Sequence, residues 1–370
     1  MKKALAGIFS LALAAAGMQA HAAPAPAAVP QIGELVQAVF YANGGTPVAQ
    51  GRFIDKGTEI GKLPTTKRIK EDAWFLGWFT AEKGGTKITA QTKLDEDATY
   101  YAHWDKGVTM VSDKAGVNVT ASNPTDYTSK VITSTLTGAD THQLQYSRSD
   151  NPANSSMAYT LKIDGQVVWS DDKSQYDDVE VSIVKTSKNE KLVNIVTTGT
   201  NGILQGDKLY RYADGKLVQA VNLLKATPGA QNRYIGKTIG TSNGTVVKYL
   251  VFQNSAVGLY EANVTFKISG SKATLAKKAV NISMLTTKNG VTVHSGNHVT
   301  ATKKLQTYTT AGGTKKSYTL TKGQSFWIGN MKVVKGKVYF LTSIVKKSKE
   351  YRGWIKAGST KLIKEAHYAN

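Results

Sequence analysis

The stretch Tyr159-Thr160-Leu161-Lys162-Ile163-Asp164-Gly165-Gln166-Val167-Val168-Trp169 decides how the rest of the chain is read. Apolar residues alternate at 159, 161 and 163, the period of a strand with one buried face. Asp-Gly follows, a pair that accepts the positive φ of a tight hairpin turn, and a second β-forming run returns. The same chemistry recurs twice. Leu209-Tyr210-Arg211-Tyr212 runs to Asp214-Gly215 and returns through Leu217-Val218. Val264, Phe266 and Ile268 alternate up to Ser269-Gly270 and return through Ala273-Thr274-Leu275. From Asp164 to Asp214 is 50 residues and from Asp214 to Gly270 is 56. A period near fifty is the size of one propeller blade. Residues 106–300 are therefore expected to form a partial β-propeller-like or β-sandwich domain, since hairpins alone leave the topology open.

Working outward, the N-terminus reads as an export signal. Lys2 and Lys3 precede an uncharged apolar run from Ala4 to Met18, and Ala20-His21-Ala22 is a small-x-small cleavage site, with cleavage expected after Ala22. The run is too short to span a bilayer, and no later stretch is apolar enough, so the mature chain is expected to carry no membrane span. Residues 23–35 open with Ala23-Pro24-Ala25-Pro26, a semi-rigid Pro/Ala linker. The chain has 370 residues and no cysteine, which excludes disulfides and thiolate chemistry. At about 100–200 residues per domain, several domains are expected.

Charge divides the chain unevenly. Lys and Arg balance Asp and Glu at nine each over residues 36–105, and stand at 12 against 13 over residues 106–224. Residues 225–370 carry 24 cations and 3 carboxylates, so this segment alone holds a surplus equal to the net charge of +21. A basic excess confined to one end of a chain marks a surface that meets an anion.

Residues 36–105 are rich in aromatics and turns. Val36, Ala38 and Phe40 alternate before Asn43-Gly44-Gly45, an expected hairpin turn. Leu63-Pro64, Trp74-Phe75, Gly77-Trp78-Phe79, Gly84-Gly85 and Tyr100-Tyr101-Ala102-His103-Trp104 follow. In this order the residues resemble the Listeria–Bacteroides repeat, also called the internalin B-repeat. The resemblance implies a small β-grasp-like module of extracellular and surface proteins, without enzymatic activity. Trp78 and Trp104 are expected in its core.

Residues 301–370 are short, basic and β-rich. Phe326-Trp327-Ile328 reads as a strand, Met331 to Leu341 as a hairpin turning at Lys335-Gly336-Lys337, and Gly353-Trp354-Ile355-Lys356 as the closing strand. The progression resembles a bacterial SH3-like domain, which implies binding to cell wall, peptidoglycan or wall polymer. Lys315, Lys316, Lys346, Lys347, Lys349 and Arg352 are the candidate contacts to an anionic polymer. Tyr318, Trp327 and Tyr339 are the candidate rings for stacking on sugars or bases.

Catalytic constellations fail in the sequence. His294 and His298 are four apart, but Ser295-Gly296-Asn297 places them in a strand-turn context rather than on one helix face, so no metal is expected. Ser149-Asp150-Asn151 and Ser170-Asp171-Asp172-Lys173 resemble penicillin-binding signatures in the wrong order and without Lys-Thr-Gly. No Gly-rich phosphate loop precedes a helix, and no cofactor is expected. The chain is thus expected to be mostly β and multidomain: a β-grasp-like repeat, a propeller-like or sandwich domain, and an SH3-like barrel. The expected function is non-catalytic attachment in a bacterial envelope, at the cell surface or outside the cell. The basic C-terminal domain would hold an anionic cell-envelope polymer or peptidoglycan, and the repeat would meet a host-surface or matrix component. An envelope glycan hydrolase, or its targeting subunit, is one alternative. A nucleic-acid-binding matrix protein is the other.

Overall fold

The computed structural model describes residues 34–68, 73–113, 126–136, 138, 140–151, 156–171, 176–199, 202–227, 233–288 and 291–367. The expected signal, its cleavage point at Ala22 and the linker up to residue 33 lie outside the described residues. The chain is a nearly all-β, multidomain fold of several sheets that includes two half-barrels.

Sheet I is the N-terminal module. Its strands Leu35–Tyr41, Ala49–Asp55, Ala73–Phe79 and Ala98–Lys106 lie in the order second, first, fourth, third. The first and last strands run parallel in the middle, and the other pairings are antiparallel. This is the strand order of a β-grasp sheet. Phe40, Trp78, Tyr100, Ile60, Ile88 and Leu94 build its core. Trp78 is buried and donates Nε1–H to the Pro64 carbonyl at 2.9 Å. Trp104 is half-buried and donates to the Ala42 carbonyl at 2.9 Å. Asn43 and Gly44 do adopt positive φ, at 46° and 87°, but they are not a two-residue hairpin turn. Tyr41 pairs with Ala49, so residues 42–48 form the connection. Thr46 N–H instead bonds the Lys67 carbonyl at 2.7 Å, which draws the loop across the sheet end.

Three antiparallel meanders follow. Sheet II contains Thr141–Asn151, Ser156–Ile163 and Gln166–Asp171, joined at one edge by the short strands Tyr127–Thr128 and Ile132–Thr135. Sheet III contains Asp178–Ser187, Glu190–Gly199, Ile203–Ala213 and Lys216–Asn222, edged by Val108–Met110. Sheet IV contains Arg233–Ser242, Thr245–Asn254, Gly258–Ser269 and Lys272–Leu275, extended by Ser283–Lys288 and Val291–His294. The three expected hairpins each close one meander. Asp164-Gly165 and Asp214-Gly215 turn with both residues at positive φ. The third turn is Gly270-Ser271, one residue later than expected, because Ser269 pairs with Lys272.

Sheet III is the wall between two cores. Residues 181–186 and 192–197 are buried without interruption, which requires cover on both faces of the sheet. Val181, Ile183, Val193 and Ile195 face Leu144, Tyr146, Tyr159 and Leu161 of sheet II. Val184, Leu192 and Val196 face the other way, toward Val246, Leu250 and Phe266 of sheet IV.

Sheet V completes the fold with Ser325–Val334, Lys337–Lys346 and Lys349–Lys356 at its centre. Ala279–Asn281 and His298–Thr300 flank one side, and Leu305–Tyr308 with Lys316–Leu320 flank the other. Its inner face continues the core of sheet IV: Tyr260 meets Phe340 edge-on at 5.4 Å, and its hydroxyl reaches Met331 Sδ at 3.2 Å. One hydrophobic cluster therefore extends from Val184 to Ala366, across residue 300.

Candidate functional site: a basic, aromatic sheet face

The outer face of sheet V follows from strand alternation. Phe326 and Ile328 point inward, and Trp327 between them is 49% exposed. A bulge between Ile328 and Asn330 resets the period so that Asn330 and Lys332 leave the core as well. Cross-strand pairing then lines up three rows. Trp327 pairs with Ser343 and Ser343 with Arg352; Asn330 with Leu341 and Leu341 with Trp354; Lys332 with Tyr339 and Tyr339 with Lys356. Neighbours in a row stand about 5 Å apart, close enough for one ligand to touch several.

A pocket of 170 Å³ opens on this face between Trp327, Asn330, Leu341, Ser343, Glu350 and Arg352. Arg352 Nη2 lies 2.8 Å from Glu350 Oε2, and the hydrogen bond from Arg352 holds the Glu350 carboxyl below its ordinary range. Lys332 Nζ stands 6.0 Å over the Trp354 ring. Asn330 donates Nδ2–H to Asn281 Oδ1 at 2.5 Å. Beyond that bridge Asn281 lines a second pocket of 270 Å³, with Glu261, Asn263, Thr265, Lys277 and Ser283. Glu261 accepts a 2.5 Å bond from the Tyr249 hydroxyl and lies 3.5 Å from His294 Nε2. Burial, and then the Glu261 carboxylate, push the Tyr249 phenol up to about 12.

The structure brings Trp327, Tyr339 and Arg352 together on this face. Lys346 and Lys349 pair across the hairpin that ends beside it, and Lys347 occupies the turn; all three are exposed. Lys315 and Lys316 are exposed where the chain enters the strand Lys316–Leu320, and Ser317 ties that strand to this face by donating Oγ–H to the Arg352 carbonyl at 2.8 Å. Tyr318 is placed elsewhere. Its ring is in the core and its hydroxyl is 2.7 Å from Thr342 Oγ1, so it presents no stacking surface. Alternation explains this: Tyr318 and Leu320 share the inner face of their strand.

Sequence reading missed Lys332, Lys356, Asn330 and the second pocket. Trp354, expected as a closing-strand residue, is half-buried and belongs to the outer face. The signal for it was the alternation of Arg352, Trp354 and Lys356 with buried Gly353 and Ile355. The face can stack rings on the apolar side of a sugar and hydrogen-bond its hydroxyls through Asn330, Ser343 and Glu350. Its rim cations can neutralise anionic substituents. His294 ends the strand Val291–His294 and His298 begins His298–Thr300, the strand-turn context expected of them. Among the described residues no group of three or more His, Asp or Glu is placed to hold a metal ion.

A family model described as the Listeria-Bacteroides repeat domain matches residues 37–103, which is sheet I and its loops. That repeat is typical of bacterial surface proteins. No curated protein and no solved structure matches the chain. No helix among the described residues is long and apolar enough to cross a membrane.

Proposed function

We propose that this chain is an exported, non-catalytic binding protein of a bacterial envelope, and that the outer face of sheet V holds an anionic glycan polymer. The observation that carries the reading is Trp327. A tryptophan half open to solvent, at the mouth of a pocket with Asn330, Glu350 and Arg352, lies in the segment that holds the charge surplus. Exposed aromatic surface beside convergent polar groups is the composition of a ligand site. The resemblance of residues 301–370 to SH3-like wall-binding domains supports the same ligand class. The repeat, as a surface-type module, is left to meet a host or matrix component.

The test is retention of the full chain on isolated envelope and on purified peptidoglycan, at about 50 and about 500 mM salt, which shortens the screening length severalfold. Trp327→Ala should weaken retention roughly tenfold or more at both salts, the loss expected for one stacked ring. Replacing Lys346, Lys347 and Lys349 by Gln should weaken it at low salt only. Retention unchanged by either variant would remove the face from consideration. Full competition by DNA, with no binding to purified wall, would favour a nucleic-acid ligand instead.

A further inference from the structure

Sheets III and IV meet around four polar side chains that the surface site does not use. Lys248 is 0% exposed, Asn194 0%, Asp207 1% and Thr238 3%. They come from four strands: Asn194 and Asp207 from neighbouring strands of sheet III, and Thr238 and Lys248 from neighbouring strands of sheet IV. Lys248 Nζ lies 3.0 Å from Asp207 Oδ2, 3.1 Å from Asn194 Oδ1 and 2.9 Å from Thr238 Oγ1. Asn194 Nδ2–H donates to Asp207 Oδ1 at 2.9 Å and to the Lys208 carbonyl at 3.0 Å. Thr238 Oγ1–H donates to Asn194 Oδ1 at 2.8 Å. Leu204, Leu250 and Val246 pack in the same core. Gly236 closes tightly over the carboxylate: a Cβ there would lie 3.0 Å from the Leu204 methyls and 3.6 Å from Asp207 Oδ2.

The arrangement joins an amine, a carboxamide and a carboxylate in a site closed to solvent. Two bare charges are expensive to hold in such a place. Each contact also has a chemical use. Asp207 touches the lysine nitrogen and the amide nitrogen of Asn194, so one carboxylate can take a proton from the first and give one to the second. The Asn194 carbonyl oxygen accepts from Thr238, which polarises the carbon between the two nitrogens as an oxyanion hole does.

We infer that Lys248 and Asn194 form an intramolecular amide bond, with Asp207 as the proton carrier. A proton passes from Lys248 Nζ to Asp207, leaving a neutral amine and a neutral acid. The amine lone pair attacks Cγ of Asn194, and the new C–N bond forms as the carbonyl oxygen gains charge beside Thr238. Asp207 protonates Nδ2 and accepts a proton from the attacking nitrogen. The Cγ–Nδ2 bond breaks and ammonia leaves. Ammonium and carboxylate are thereby exchanged for an amide, a molecule of ammonia and a neutral Asp207, and no oxidant or outside reactant is consumed. The product ties the second strand of sheet III covalently to the second strand of sheet IV.

Mass spectrometry of the full chain tests this directly. Trypsin would ordinarily release residues 192–208 and cut after Lys248. The expected finding is one branched peptide joining residues 192–208 to residues 238–267, uncut at Lys248, and lighter than the sum of its two arms by about 17 Da, one ammonia. Asp207→Asn should abolish the branched peptide and restore cutting after Lys248, and Lys248→Met should abolish the branch. A wild-type chain cut normally at Lys248, with a free 192–208 peptide, overturns the inference even if the intact mass is low. A branched peptide lighter by about 18 Da, one water, with fragment ions placing the link on Asp207, overturns the assignment of Asn194 as acyl donor. A branch that persists in Asp207→Asn overturns the role given to Asp207.

Discussion

Lys347 and Ser348 hold left-handed backbone, at φ 50° and 60°, in the turn that places Lys346 and Lys349 beside the candidate site. Side chains with a Cβ are disfavoured there by about 1 kcal/mol or more each, and Asn-Gly is the pair such a turn prefers. Asp164-Gly165 and Asp214-Gly215 follow that preference, and Lys347-Ser348 does not. Lys347→Asn with Ser348→Gly should therefore raise stability by about 1 kcal/mol, read as a shifted denaturant midpoint at constant slope. If the strained turn is kept for its cation, the same double variant loses low-salt retention on envelope while becoming more stable. A variant no more stable than its parent would show that the turn is held in place by its neighbours. Individual site residues were partly legible. Trp327 and Arg352 stand on one outer face, and the interleaving of aromatics and cations in the basic segment is what made them candidates. Tyr318 was misplaced because sequence shows that a strand alternates but not which parity faces in. The Asn194, Asp207, Thr238 and Lys248 cluster gave no signal, since its members are scattered over 55 residues and four strands.

At the scale of elements, hairpins were the legible part. The period of about fifty residues marks successive meanders, because each expected turn closes the last hairpin of one meander. Asn43-Gly44 carried the same signal and failed, because the loop pairs with Lys67 instead of turning directly back. How the meanders stack was not legible, although one clue stood in the sequence. Val181-Ser182-Ile183-Val184 and Leu192-Val193-Asn194-Ile195-Val196 do not alternate between apolar and polar, as strands covered on both sides need not. Such strands open only when both cores open. Amides of residues 181–186 and 192–197 should thus be the slowest to exchange with deuterium, at the rate of global unfolding. Amides of sheet I should exchange earlier, through opening of its smaller core. Equal protection in the two sheets would show that the module and sheet III unfold as one unit.

Across the whole molecule, sheet I is fixed to sheets III and IV by a small charged and aromatic contact. Lys185, 6% exposed in its side chain, lies 2.7 Å from Asp105 Oδ2, Lys191 lies 3.3 Å from the same oxygen, and Trp74 donates to Thr241 Oγ1 at 2.7 Å. Burial would raise the Asp105 carboxyl, but Lys185 and Lys191 outweigh it and hold the group below its ordinary range. A carboxyl depressed in the folded state contributes stability above its unfolded value near pH 4, and that contribution disappears as pH falls through the lower folded value. Asp105→Asn should cost about 2 kcal/mol at pH 7, and its deficit against the parent should shrink below about pH 4. A deficit independent of pH would mean that packing, not charge, holds the contact. The charge asymmetry along the chain was legible at this scale and the shared core of sheets IV and V was not, because continuity of packing leaves no mark at residue 300. The feature that completes that core lies far along the chain. Leu362 N–H bonds the Ala256 carbonyl, Leu259 N–H bonds the His367 carbonyl, and Gly258 leaves room for that backbone where a Cβ would stand 2.3 Å from the His367 oxygen. During synthesis, then, sheets I to III have all their strands long before the stretch 362–367 exists. The 254–258 hairpin must wait with an open seam until more than a hundred further residues have emerged.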